Sequence, residues 1–273
     1  MLKKNDQFRI VKTVTDPLDT LSSLATLLTG TFVLRPYVAA FLAVFLAAAV
    51  RDLGGLRAAG FLLWGGLVSL VAELSSTRWG IPFGLYHYTA DTAGAELFLS
   101  NVPLFSTLSF PFLAYASFCL ARLAFREDPA GGRRGLIGVA ALGGVLMTLL
   151  DVVIDPLAVR GERWFLGRVF FYPEGGEYFG VPLSNFAGWL LVGWVTIGGY
   201  LWATGGRRLG SPRGGVALYY GILAFNLAIA FWIGEFLVAT AGIVVHLAAF
   251  LLVYTFDRAA LGRWPGGRLS TTH

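Results

Sequence analysis

Polar and apolar residues fall along this chain in long blocks, without the short alternation of a water-soluble fold. Apolar runs occupy about 18–34, 36–50, 56–74, 102–121, 135–157, 185–204, 215–238 and 241–257. Several approach the roughly 20 residues needed to cross the hydrocarbon core of a bilayer. The pattern predicts an all-α, polytopic transmembrane helical bundle of about eight spans. The first, second and last runs are short, so seven spans stay open beside eight. Residues 1–17 read as a polar, basic N-terminal tail, 18–257 as one transmembrane domain, and 258–273 as a C-terminal tail. The N-terminal tail lacks the apolar core and small-residue cleavage site of a signal peptide. Gly143, Gly144, Gly198 and Gly199 fall inside runs, where small residues let helices approach closely.

Composition agrees: 56% of the 273 residues are hydrophobic and 14% charged, against about a quarter charged in soluble domains. The net charge of +5 does not point to nucleic acid, because the basic residues sit in short connections and form no basic face. They fall in groups: Lys3, Lys4, Arg9 and Lys12; Arg51 and Arg57; Arg122, Arg126, Arg133 and Arg134; Arg207, Arg208 and Arg213; Arg258, Arg263 and Arg268. Eight spans put every group on the cytoplasmic side with both termini inside; seven would split them. The chain is therefore expected as a multi-pass protein of the cell membrane. The two long connections, about 75–101 and 158–184, then share the opposite side. Arg160, Arg163 and Arg168 there are a mild violation, partly balanced by Glu162, Glu174 and Glu177. Cys119 is the one cysteine, so no disulfide framework or Cys-based metal site is expected.

Intramembrane carboxylates are expensive and are functional candidates by default. Glu73 ends the third run, Asp151 and Asp155 lie late in the fifth, Asn185 opens the sixth and Glu235 is late in the seventh. His246 falls about one turn into the eighth. Eight spans bring all of these to one end of the bundle. Asp151 and Asp155, four apart, share a helix face. Pro156 biases Asp155 away from helical geometry, so a helix end or kink is expected there, with carbonyls exposed beside the carboxylate. Two close carboxylates in a poorly solvated site do not both ionise readily, which keeps a proton available at neutral pH. The plainer alternative is that the pair binds Arg78 or Arg160 at the bilayer boundary. His246 alone fits a structural bond to a neighbouring helix, Glu235 is open between the two roles, and Asn226 reads as a helix–helix hydrogen bond.

The long connections are rich in aromatics, Gly and Pro. One contains Trp79, Gly80, Pro82, Phe83, Gly84, Tyr86 and Tyr88; the other Trp164, Phe165, Phe170, Phe171 and Tyr172, then Tyr178 through Trp189. An interfacial aromatic belt explains some of this. Aromatic faces also attract cations, and acids ringed by them suit chemistry that passes through a carbocation. No phosphate-binding Gly loop, His-rich zinc motif or dinucleotide fingerprint is present, and no metal or cofactor is expected.

Three patches resemble the carotenoid 1,2-hydratases of the CruF type, integral membrane enzymes of carotenoid biosynthesis. They are Glu73 with Gly80-x-Pro82-Phe83-Gly84-x-Tyr86-x-Tyr88, Asp151-x-x-x-Asp155-Pro156, and Gly180-Val181-Pro182-x-x-Asn185-Phe186-x-Gly188-Trp189. The glycines expected between Glu73 and Gly80 are absent. The resemblance implies addition of water across the terminal 1,2 double bond of an acyclic ψ-end group, as in lycopene or γ-carotene, giving a tertiary alcohol. It implies a carotenoid, water and membrane lipid as partners, with association with other carotenoid enzymes. Asp151 or Asp155 would be the acid, Glu73 and Asn185 the water holders, and Trp79, Phe83, Tyr86, Tyr88 and Trp189 the aromatic candidates; Glu235 and His246 complete the candidate set. Two other classes compete: an intramembrane prenyltransferase with a Mg²⁺-diphosphate site at Asp151 and Asp155, and a lipid or small-molecule transporter with a relay carboxylate.

Overall fold

The computed structural model of the chain describes residues 17–125, 132–206 and 209–261. The expected tails fall almost wholly outside these residues, with Lys3, Lys4, Arg9, Lys12, Arg126, Arg207, Arg208, Arg263 and Arg268. Eight helices follow in order: α1 (Pro17–Leu34), α2 (Pro36–Leu53), α3 (Gly55–Trp79), α4 (Leu104–Ala124), α5 (Gly132–Ala158), α6 (Leu183–Thr204), α7 (Arg213–Trp232) and α8 (Phe236–Leu261). The predicted all-α bundle is present. Six helices, α2 to α7, are long and apolar enough to cross a membrane; α1 and α8 contribute shorter apolar stretches, Leu21–Leu34 and Phe236–Leu251.

Helices are the form that closes every backbone hydrogen bond within one segment, which a hydrocarbon solvent demands. Pro36 opens α2 at a position whose N–H has no helical partner anyway. α4 runs through the middle, packed by α2, α3, α5 and α7, and accordingly has far more of its surface covered than the other long helices. α5 and α6 pack at a glycine contact. A Cβ on Gly144 would stand 2.9 Å from the Leu190 carbonyl oxygen, and one on Gly193 would stand 3.0 Å from the Gly144 Cα. The small-residue expectation holds for Gly144; Gly198, by contrast, has room for a methyl group, with only the Ala140 Cβ at 3.7 Å.

The two long connections, 80–103 and 159–182, meet at one end of the bundle, as expected. Strands β1 (His87–Tyr88) and β4 (Phe170–Phe171) pair antiparallel across them, with Tyr88 opposite Phe170. The first connection also carries a small hairpin of β2 (Phe98–Leu99) and β3 (Val102–Pro103). We call this the loop end.

α5 does not end at the expected position. Asp155 is helical, Pro156 sits inside the helix, and α5 ends at Ala158. The Asp155 carbonyl is taken by Val159 N–H at 3.0 Å and the Pro156 carbonyl by Arg160 at 2.8 Å. The N–H that Pro156 lacks would have met the Val152 carbonyl one turn back.

Buried ion pairs tie the elements together. At the loop end Arg35 meets Glu96 at 3.3 Å and lies over the Phe105 ring. At the opposite end Asp52, at the foot of α2, accepts from Arg122 of α4 at 2.7 Å and from Tyr115 at 3.2 Å. Arg122 also reaches the Gly210 carbonyl at 2.7 Å, so one ion pair fastens α2, α4 and the α6–α7 connection.

Candidate active site

Glu73 lies near the end of α3, where that helix faces the first turn of α4 and strand β1. Its carboxylate is buried. One oxygen accepts from the Tyr88 hydroxyl at 2.7 Å and from Ser106; the other accepts from Thr107 at 3.4 Å. Burial, then the adjacent Glu73 carboxylate, push the Tyr88 phenol well above its ordinary range. Tyr88 therefore keeps its proton and remains a donor.

Asp151 and Asp155 lie on one face of α5, and both are buried. Asn185, in the first turn of α6, donates its amide to both, at 2.7 Å to Asp151 and 2.8 Å to Asp155. Trp189, one turn further along α6, points its indole N–H at Asp155 from 3.4 Å. The second Asp151 oxygen is buried without a hydrogen-bond partner. The alternative of an arginine partner is overturned: Arg78 bonds Ser100 at 3.4 Å, and Arg160 bonds the Phe179 carbonyl at 2.6 Å and Glu235 at 2.9 Å. Every donor on these three carboxylates is neutral.

Glu73, Asp155 and Asn185 line one small cavity of about 50 Å³, walled by Phe83, Tyr86, Tyr88, Tyr172 and Trp189. A second cavity of about 120 Å³, almost wholly apolar, lies against it and extends between α2, α4 and α7. Tyr88, Ser106, Phe110, Asp155, Phe170 and Trp189 line both. Aromatic rings pack closely here: Phe110 stacks on Trp189 at 4.4 Å, and Tyr86 meets Tyr88, Phe170 and Tyr172 edge-on at 5.5 to 5.7 Å. The wall depends on a close approach, because a Cβ on Gly188 of α6 would stand 2.5 Å from the Phe83 ring. Burial, with the two aspartates behind it, raises the Tyr172 phenol as well.

Seven of the predicted residues thus come together around these cavities (Glu73, Asp155, Asn185, Phe83, Tyr86, Tyr88 and Trp189), and Asp151 lies directly behind. Three do not. Trp79 is 73% exposed and takes no part. Glu235 is held by Arg160 and Arg163, two of the three loop arginines that disturb the charge rule; the third, Arg168, pairs with Glu162 at 3.4 Å. His246 lies ten residues into α8, because α8 begins at Phe236 and not at 241. It faces Tyr219 at 3.1 Å and the Gly242 carbonyl at 2.7 Å, beside a separate cavity of about 340 Å³. Asn226 departs from expectation too: it bonds the Ile222 carbonyl of its own helix at 2.9 Å, not a neighbouring helix, and lines the larger cavity.

Sequence reasoning missed Ser106, Thr107 and Phe110. The signal was available: in antiparallel neighbours, hydroxyls in the first turn of α4 stand level with an acid in the last turns of α3. Among the described residues, no group of three or more His, Cys, Asp or Glu side chains is arranged to hold a metal ion.

Comparison with known proteins meets this geometry. The chain is similar to the bisanhydrobacterioruberin hydratase of Haloarcula japonica, with 30% identity over 168 residues, 62% of this chain and 50% of the relative. The match thus spans about half the length of that protein. No solved structure matches the chain. The family model for carotenoid biosynthesis proteins matches residues 32–254, from the end of α1 into α8 and across both acid clusters, and the chain belongs to that family.

Proposed function

We propose that this chain is a carotenoid hydratase that adds water across the terminal 1,2 double bond of an acyclic ψ-end group by acid catalysis. One observation carries the reading: Glu73 and Asp155, both buried on neutral donors alone, share a small aromatic-walled cavity that abuts a mostly apolar one. Family membership and the hydratase relative support the substrate class.

Asp155 is the acid. It lines both cavities, whereas Asp151 lines neither and acts as a positioning residue through Asn185. The Asp155 proton adds to the less substituted alkene carbon and leaves a tertiary cation, which the faces of Phe110, Trp189 and Phe83 stabilise. A water held by Glu73 and Asn185 forms the new C–O bond and gives its proton to Glu73. Exchange through water returns that proton to Asp155. The balance is alkene plus water to tertiary alcohol, with no change of oxidation state. In this reading both termini face the cytoplasm and the loop end faces away from it.

Expression in a lycopene-producing host tests this. Product oxygen is expected from ¹⁸O-labelled water, with turnover insensitive to a chelator; label taken from O₂ would overturn the reading, and chelator sensitivity would favour a metal-dependent prenyltransferase.

A further inference from the structure

A carotenoid is many times longer than the end group that reacts, and cavities of about 120 and 50 Å³ cannot enclose one. The rest of the molecule must leave through a wall, and the wall differs from side to side. Toward α6 it is closed by backbone, where a Cβ on Gly188 would stand 2.9 Å from the Pro82 carbonyl oxygen. Toward α2 and α7 it is made of rings. Those two helices touch at the end away from the loops: a Cβ on Gly214 would stand 2.8 Å from the Ala48 Cβ, and the Gly210 N–H donates to the Asp52 carbonyl at 2.7 Å. At the loop end side chains fill the space between them. Tyr37 stacks on Phe225 with centroids 5.3 Å apart and planes 17° from parallel, and Phe41 meets the same ring edge-on at 5.6 Å. Phe165, from the second long connection, covers this pair, 5.8 Å from Tyr37 and 6.3 Å from Phe225. Tyr37 and Phe41 line the larger cavity. Phe165 is 49% exposed and stands 6.4 Å from the ring of Trp232, itself 67% exposed. A continuous file of rings thus runs from the cavity to the outer surface of the bundle. An interfacial aromatic belt accounts for Phe165 and Trp232 taken alone, but not for their continuity with the cavity through Tyr37 and Phe225.

We propose that this seam between α2 and α7 binds the unreacted length of the polyene, which leaves the cavity there and lies against Phe165 and Trp232 in the bilayer. The proposal rests on the hydratase reading for the class of its ligand. A conjugated hydrocarbon presents flat apolar faces, which pack on aromatic rings by dispersion and leave no polar group unpaired. Rings also turn aside by changing side-chain rotamers, with no backbone hydrogen bond broken. Parting two helices in direct contact would instead move whole segments. The contact of Ala48 with Gly214 therefore holds α2 and α7 together while the ring-filled end admits the chain. The long hydrocarbon stays in the membrane throughout, and only its end group passes inward to the acids.

The test is protection of an introduced thiol. Phe165→Cys places one on the seam; Leu85→Cys places a control against the end of α3, where Leu85 packs on Gly80 and is 47% exposed. The native Cys119 is buried, so alkylation reports the introduced thiol. Each full chain is held in lipid nanodiscs and treated with a maleimide, with and without lycopene in the bilayer. Saturating lycopene is expected to slow alkylation of Phe165→Cys at least about tenfold and to leave the rate for Leu85→Cys unchanged. Trp232→Cys serves as the second variant should Phe165→Cys not fold, as judged by size-exclusion elution. Equal protection of both positions, or none at the seam, overturns the proposal. This experiment reads occupancy and the labelled-water experiment reads turnover. Seam protection without labelled product would sink the hydratase reading alone, and labelled product without protection would sink this one alone.

Discussion

At the end of the bundle away from the long loops, Asp52 is buried against Arg122, with Tyr115 and the Gly210 carbonyl completing the knot. At the loop end Glu73, Asp151 and Asp155 are buried just as deeply, yet their partners are a phenol, hydroxyls, an amide and an indole. A guanidinium partner holds a carboxylate in its anionic form. Neutral donors also favour the anion, but they bring no countercharge, so burial still opposes ionisation and the group is able to hold a proton. Two further acids fall on the arginine side: Glu96 lies on Arg35, and Glu235 on Arg160 and Arg163. Depth of burial does not separate these two sets of carboxylates. The identity of the partner does.

The comparison breaks most visibly at Asp155. Asp155→Asn keeps the size and the Asn185 contact but removes the acid, and turnover should fall at least about 10³-fold with folded yield unchanged, measured by pigment chromatography and size exclusion from the same membranes. Asp52→Asn should do the reverse. Removing one partner of a buried ion pair costs about 3–5 kcal/mol, so thermal stability and membrane yield drop while turnover per folded molecule holds. Asp52→Leu with Arg122→Met should recover much of that loss; if it does not, the pair is more than a fastening. Glu73→Gln is expected to lower turnover about 10²-fold without loss of fold, and a stability defect of the Asp52 kind would place Glu73 on the structural side. The smallest effect is Tyr88→Phe, about tenfold for a hydrogen bond to a charged group. Because burial and Glu73 raise the Tyr88 phenol, it stays protonated at neutral and moderately alkaline pH. The deficit of Tyr88→Phe should therefore be the same at every pH in that range; a deficit that vanishes as pH rises would mean the phenol ionises.

The membrane bundle, and the meeting of Glu73, Asp151, Asp155 and Asn185, were legible in the sequence because run length, four-residue spacing and loop charge each report on position along the bilayer normal. Those signals carry depth but not azimuth. Glu235 stands at the right depth, yet its arginines come from a connection about 70 residues away in sequence, which no periodicity reveals. Pro156 looked like a helix end because the local backbone preference was read without the packing that overrides it. His246 was misplaced because the apolar run begins later than its helix. Ser106 and Thr107 are easily passed over because hydroxyls near a helix start are common caps, although the antiparallel order of α3 and α4 puts them level with Glu73.

Asn185 has one more consequence. An amide has no titration of its own in any accessible pH range, so it offers the same two contacts whether the aspartates hold one proton or none. The scaffold around the acid need not rearrange as its load changes, and the reorganisation that a mobile counter-ion would impose on each cycle is absent. A proton can leave and be replaced in a frame that does not register the difference.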